Sequence, residues 1–321
     1  MKRLDPFLMS LVVAIILASI FPASGGTQKV LERLTYFLIS MMFFFQGVRL
    51  ERKFLLESLK NWTLQLSVLF FTFIFFPFMG VFFYFVCNEV LKESFFEIGL
   101  WQGILFLCCL PSTVQSSIAL TSIARGNIPA SICASTTSNI LGIFITPFLF
   151  SILIGSSNGN LASYNTIIDI VKELLIPFIL GQICQKWLYR IIKKNKILIS
   201  FTDRGSILFV VYSAFSSAVL EGIWRKVSAL HIAEVFFIDF LMLAVVLYFS
   251  YYLAKKEKQS LENSISLQFC GSKKSLASGI PMASIIFPHH EVGIIVIPLI
   301  IYHQIQLFVC TILARKYSQR L

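Results

Sequence analysis

The chain has 321 residues, 57% hydrophobic and 13% charged, with a mean hydropathy of +0.80 and a net charge of +11. Soluble domains carry roughly a quarter charged residues, so this composition excludes a water-soluble core and predicts an all-α integral membrane protein. The positive charges sit between apolar runs rather than along one face, which excludes a nucleic-acid-binding protein and fits cytoplasmic loops.

A crossing helix needs about 20 apolar residues. By that measure the chain has ten segments: 5–23, 30–48, 61–87, 95–124, 128–154, 165–192, 204–222, 231–254, 260–287 and 292–314. The first, in "MKRLDPFLMSLVVAIILASIFPASGG", has the outline of a signal peptide but reads as a retained span. Short connections leave a single polytopic membrane domain over 1–321. With the N-terminus inside, 19 of the 27 Lys and Arg fall on inner connections and 6 on outer ones (Lys29, Arg33, Lys92, Lys172, Arg225 and Lys226). This asymmetry predicts a multi-pass protein of the plasma or inner membrane with both termini cytoplasmic. Seven cysteines lie in or beside apolar runs without CxxC spacing; they read as small buried hydrophobes, with neither a disulfide framework nor a metal site.

The two positive charges left over are Lys273 and Lys274, inside the ninth segment. Ten spans divide into two fives, about 1–156 and 160–321, and an odd number per half forces opposite insertion, the inverted-repeat architecture of transporters. The fourth segment of each half should then be unusual. Segment four, Phe95 to Arg125, contains "CCLPSTVQSSIALTSIARGN"; segment nine, Gln259 to His289, contains "LQFCGSKKSLASGIPMASIIF". Each is 31 residues long and each is interrupted, from Pro111 to Ser117 and from Gly271 to Ser275. We expect discontinuous helices 4 and 9, because irregular backbone at membrane depth survives only when buried in protein or lining a watery cavity. The alternative places both lysines in an inner loop and starts the span at Ser275. Thirteen residues from there to Phe287 make only about 20 Å of helix, too short for about 30 Å of hydrocarbon. A lysine at the bilayer centre costs roughly 2.5–3.5 kcal/mol, so the lysines should meet a cavity or a partner at the break, with Lys273 as the cavity residue.

"GSKKSLASGIPMA", "LPSTVQSSIALTSIARGN" and "YHQIQL" resemble the bile acid:sodium symporter superfamily. Within it they are similar to the branch that groups bacterial proteins classed as sodium-dependent transporters with the seventh member of vertebrate solute carrier family ten. The resemblance spans nearly the whole chain. It implies ten transmembrane helices in a panel and a core domain, helices 4 and 9 crossing in the core, and a substrate crevice between the domains. In sodium-coupled relatives the ninth helix carries a glutamate, a glycine two residues later, then Gln and Asn, which build two sodium sites. Anchored on Gly271, the glutamate position holds Phe269 and the Gln and Asn positions hold Lys273 and Lys274. Two like charges 4 Å apart cost roughly 4 kcal/mol even at an effective dielectric of about 20. At least one sodium site should therefore be lost to an ammonium, which argues against sodium coupling; Na⁺ is the one candidate ion, and no other cofactor is expected.

The resemblance also implies that Ser131, Ser135 and Thr136 match hydroxyl positions lining sodium in relatives, with Ser138 and Asn139 following. Ser131 and Ser135 are i, i+4 and share a helix face. Thr113, Gln115, Ser116 and Ser117 surround the first break. With Asn139, Gly271, Ser272, Lys273, Lys274 and Ser275 these form the expected substrate- or ion-binding set. For each hydroxyl alone the competing reading is a bond back to its own helix. Among other polar groups, His303, Gln304 and Gln306 read as interhelical hydrogen-bonding residues rather than a proton relay. His289, His290 and Glu291 read as a solvated turn, and Asp169, Glu173 and Asp239 as candidate partners for a lysine.

These features predict a secondary active or facilitative transporter of a small organic anion, working by alternating access. Lysines and half-helix N-termini make a positive place for an anionic group. Proton coupling through a lysine and facilitated diffusion both remain open. The alternative, implied by the resemblance, is a regulatory membrane protein affecting calcium homeostasis. An intramembrane enzyme with a dyad from Ser272 and Lys273, or with Ser275, lacks G-x-S-x-G and leaves the symmetry unexplained, so no enzymatic activity is expected. The partners are an organic anion and the lipid bilayer, with no nucleic acid; the oligomeric state is open.

Overall fold

A computed structural model describes residues 6–49, 61–87, 98–158, 171–222 and 227–319, and every regular element among them is helical. Asp169 and the basic residues Lys2, Arg3, Arg52, Lys53, Lys60, Lys92, Arg225, Lys226 and Arg320 lie outside the described residues. In chain order the helices are α1 (Pro6–Ile20), α2 (Gly26–Arg49), α3 (Trp62–Phe85), α4 (Ile98–Cys109), α5 (Val114–Ile123) and α6 (Ile128–Asn158). They continue with α7 (Ile176–Lys194), α8 (Lys196–Leu220), α9 (Ala229–Lys256), α10 (Leu261–Gly271), α11 (Leu276–Ile286) and α12 (His289–Ser318). A π-helical turn, Phe71–Phe75, interrupts α3, and another, Val171–Leu175, leads into α7.

Among the described residues four helices are long and apolar enough to cross a membrane: Trp62–Phe85, Ile128–Leu153, Ala229–Lys256 and His289–Ser318. The pair α4 and α5 passes the same test as one span bent by 62°. In α9 the sidedness is that of a lipid-facing helix. Phe236, Phe237, Phe240, Tyr248 and Phe249 are exposed, while Asp239 and Ser250 are buried with Val235, Met242 and Val246. A helix with its largest apolar groups outward and its polar ones inward suits hydrocarbon rather than water as the solvent.

The chain folds as two compact units interleaved in sequence. One gathers α1, α2, α7, α8 and residues 279–296. Here α2 and α7 approach so closely that a Cβ on Gly47 or Gly181 would strike the opposing carbonyls of Phe178 and Phe44, the small-residue packing usual between membrane helices. Arg49 clamps Asp203 of α8 with two bonds of 2.7 and 2.8 Å. Tyr36 meets His289 at 2.9 Å, and His290 lies 3.7 Å from both Glu221 and Glu291.

The other unit gathers α3 to α6, α9, α10 with the residues as far as Ser278, and α12 from Ile297. Both breaks belong to it: α4 stops at Cys109 and α5 starts at Val114, while α10 stops at Gly271 and α11 starts at Leu276. Pro111 accounts for the first break, since it has no N–H to donate and disfavours helix at Leu110. Gly142 lets α6 lie against it, for a Cβ there would come within 2.5 Å of the Pro111 ring.

Candidate functional site

A broken helix leaves carbonyls at one stump and N–H groups at the other, and in a membrane each needs a partner from protein. Four carbonyls of the first break are taken. Cys108 and Leu110 accept from the ammonium of Lys274 at 2.7 and 2.8 Å, Cys109 from Thr146 Oγ1 at 2.8 Å, and Pro111 from the Ser275 N–H at 2.9 Å. Cys108 is free for the lysine because its helical donor, the Ser112 N–H, bonds Ser138 Oγ instead.

The third bond of the Lys274 ammonium, 2.9 Å to the Thr72 carbonyl, has an origin in α3. In the π-helical turn the Phe76 N–H reaches back to Phe71. The next donor in that register would be Pro77, which has none. Thr72 is left with an unserved carbonyl, and Lys274 serves it. The ammonium also stands 4.1 Å above the Phe76 ring, a cation–π contact. Four neighbours thus surround a fully buried cation.

The second break is answered by the first. Ser117 donates to the Phe269 carbonyl at 3.3 Å, Ser112 to Cys270 at 2.6 Å and Thr113 to Lys274 at 2.7 Å. Thr113, extended at the start of α5, leaves its own helix without a side-chain cap. From α12, Tyr302 donates to the Ser272 carbonyl at 2.7 Å, and Gln306 holds the Lys274 backbone on both sides, at 2.9 Å from its N–H and 3.1 Å from its carbonyl. His303 braces Gln306 at 2.9 Å. Gly271 brings the end of α10 within van der Waals reach of Phe71.

Lys273 differs from its neighbour. It is equally buried, but its side-chain nitrogen has no hydrogen-bond partner. Among the described residues no carboxylate makes a salt bridge with either lysine, and neither carboxylate oxygen of Asp239 has a hydrogen-bond partner.

The other expected residues divide. Ser131 and Ser135 close around Cys270 Sγ at 3.0 and 3.4 Å; Ser131 also meets Thr121 at 3.1 Å, and Ser135 donates back to the Ser131 carbonyl at 2.6 Å. This hydroxyl cluster is packed against a thiol and satisfied internally. Ser275 caps α11, bonding the Ser278 N–H at 3.2 Å and its hydroxyl at 3.1 Å, and Ser278 passes on to Asn139 at 2.8 Å. Gln115 is exposed, Thr113, Thr136 and Asn139 are half-buried, and the hydroxyls of Ser116 and Ser272 are buried without a partner. The reading from sequence missed Tyr302, Thr146, Phe76 and the Cys270 thiol. Only Pro77, in the middle of an apolar segment, was a visible signal among the features that form the ammonium's cage.

The sequence matches the SBF-like CPA transporter family over residues 5–319. The chain belongs to that family. Among its relatives, the "Uncharacterized protein PA2026" of Pseudomonas aeruginosa is 41% identical over 98% of this chain and 93% of its own length. The "Putative symporter YfeH" of Escherichia coli (strain K12) is 41% identical over 99% of this chain and 94% of its own. The "Sodium/bile acid cotransporter 7" of Danio rerio is 28% identical over 97% and 93%. Membership of this transporter family and the apolar helices together make the chain a multi-pass membrane transport protein.

Proposed function

We propose that this protein carries a small organic anion across the membrane by alternating access, as ten spans in two inverted halves, and that it does so without a sodium ion at the meeting of its two broken helices. One observation carries the reading. The carbonyl cage between the breaks is filled by the chain's own cation, the Lys274 ammonium, held by Thr72, Cys108 and Leu110. A sodium ion would need that same oxygen-rich space and would meet a positive charge there.

Anion selectivity follows from uncompensated charge. Lys274 adds an ammonium group to a buried region where, among the described residues, no carboxylate pairs with it, and the Lys273 nitrogen beside it is buried with no hydrogen-bond partner. The uncapped start of α5, with Gln115 exposed and Ser116 unbonded, adds N–H and hydroxyl donors of the same electrostatic sense. The names of the relatives support a carrier of organic solutes coupled to an ion. No enzymatic step is part of this reading.

The test is thermal unfolding of the purified protein across a panel of carboxylates, sulfates and phosphate esters, each as its sodium and its potassium salt. The reading expects at least one anion to raise the melting temperature equally in both salts. A panel without any shift, or a shift seen in sodium alone, contradicts it.

A further inference from the structure

One buried charge-bearing group takes no part in the network around the breaks. Asp239 lies in the middle of α9, fully buried, and neither carboxylate oxygen has a hydrogen-bond partner. Its neighbours on the helix face are Val235, Ile238, Met242 and Leu243, all buried. The helix packed against α9, α10, carries Glu262 and Cys270, while the titratable groups that interact with Asp239 electrostatically are the Cys108 thiol at the end of α4 and the Tyr302 phenol in α12. Both connect to the breaks: the Cys108 carbonyl holds the Lys274 ammonium, the charged group on that side, and the Tyr302 hydroxyl donates to Ser272. Asp239 itself forms a salt bridge with neither lysine.

A carboxylate so placed has no structural account. It fastens nothing, and an ionised, unpaired carboxylate in a dry interior is among the costliest arrangements a protein can hold. A metal ion would need several oxygen ligands around it, and among the described residues no group of three His, Cys, Asp or Glu converges anywhere. A proton is the one cation that needs no further ligand.

We infer that Asp239 is a proton-binding site, loaded in the conformation described here, and that the coupling ion of this transporter is H⁺. The coupling part rests on the transport reading above; the proton-binding part does not. The balance is simple: an O–H bond to a carboxylate oxygen forms from water on one side of the membrane and breaks to water on the other, and no electrons move. One proton travelling with one monovalent anion leaves the membrane potential out of the cycle.

Two measurements test this on the full chain in lipid vesicles. Infrared difference spectroscopy at neutral pH should show the C=O stretch of an un-ionised carboxylic acid. That band should shift with isotope-labelled aspartate, vanish in Asp239→Asn and move in Asp239→Glu. Its absence from the wild type, or its persistence in Asp239→Asn, overturns the inference without reference to any solute; if the Asn variant does not fold, the labelled wild type decides alone. Vesicles loaded with a pH-sensitive dye are then given a gradient of each anion that raises the melting temperature. Proton movement in the wild type, reduced in Asp239→Asn to the level of empty vesicles while the thermal shift by that anion is kept, is the expected result. Proton movement unchanged in Asp239→Asn, or absent from the wild type with a binding anion, overturns the coupling role. If no anion shifts the melting temperature, the transport reading fails and the infrared band still settles whether Asp239 holds a proton.

Discussion

The Lys274 ammonium lies 2.9 Å from the Thr72 carbonyl, the carbonyl that Pro77 denies a helical donor. A side chain from one broken helix thus completes the backbone of a different, π-turned one. In the same place it closes the open end of α4 through Cys108 and Leu110. The charge has the right sign for that end, since the C-terminus of a helix is the negative pole.

Lys274→Met should therefore melt well below the wild type. It leaves three buried carbonyls without their donor, each worth about 1–3 kcal/mol when orphaned, so the expected loss is about 3 kcal/mol or more. Pro77→Ala returns an N–H to the turn and should recover part of that loss in the Lys274→Met background, about 1 kcal/mol. A double-mutant cycle by thermal or denaturant unfolding measures this coupling. A Lys274→Met protein as stable as the wild type would mean that the cage holds nothing together.

Gln306 and Thr113 should rank differently when removed. Gln306 is the partner of the Lys274 N–H and shares its carbonyl with Thr113. Gln306→Leu orphans a buried donor, a cost of about 1–3 kcal/mol, whereas Thr113→Val leaves the carbonyl with Gln306 and should cost about 1 kcal/mol or less. The reverse order in unfolding experiments would contradict the assignment of Gln306 as the principal clamp.

How much of this was written in the sequence depends on the residue. The two interruptions were legible because Pro111 and the Gly271–Ser275 run break helical chemistry locally, but the first is shorter than the Pro111 to Ser117 expected, since helix resumes at Val114 and takes in Gln115, Ser116 and Ser117. That Lys273 and Lys274 would stand at one of them followed from length, since thirteen residues cannot cross the membrane. The division of labour between the two lysines was not legible. It depends on which carbonyls are left unserved in α3 and α4, and that is decided by Ser112 turning to Ser138 and by a π register set around Pro77. Nor could the sequence tell that Ser131 and Ser135 would close on Cys270, because a thiol reads as a small hydrophobe until its neighbours are known. Asp239 stood among three candidate lysine partners; only the fold reveals that it has none.

The cation requirement can be tested through Ser135. Its hydroxyl bonds the Ser131 carbonyl and touches Cys270, so Ser135→Ala should lower stability by about 1 kcal/mol equally in sodium, potassium and choline chloride. The wild-type melting temperature should likewise be the same in the three salts at equal ionic strength. Stabilisation specific to sodium, abolished by Ser135→Ala, would place a sodium ion among these hydroxyls and end the sodium-free reading.

Chemical labelling separates the two lysines from each other and both from a loop. Lys256 and Lys316 are exposed, while Lys273 and Lys274 are fully buried. A water-soluble amine reagent, with modification quantified by peptide mass spectrometry, should react first with the exposed pair. Lys274 should stay unmodified until the protein unfolds, because its ammonium is committed to three carbonyls and a ring. Lys273 has no such bonds, so any conformation that admits water to it should let it react slowly, and an anion that raises the melting temperature should change that rate while leaving Lys256 unaffected. Rapid labelling of both buried lysines in the resting protein would put them in water, and the filled cage with them would be lost.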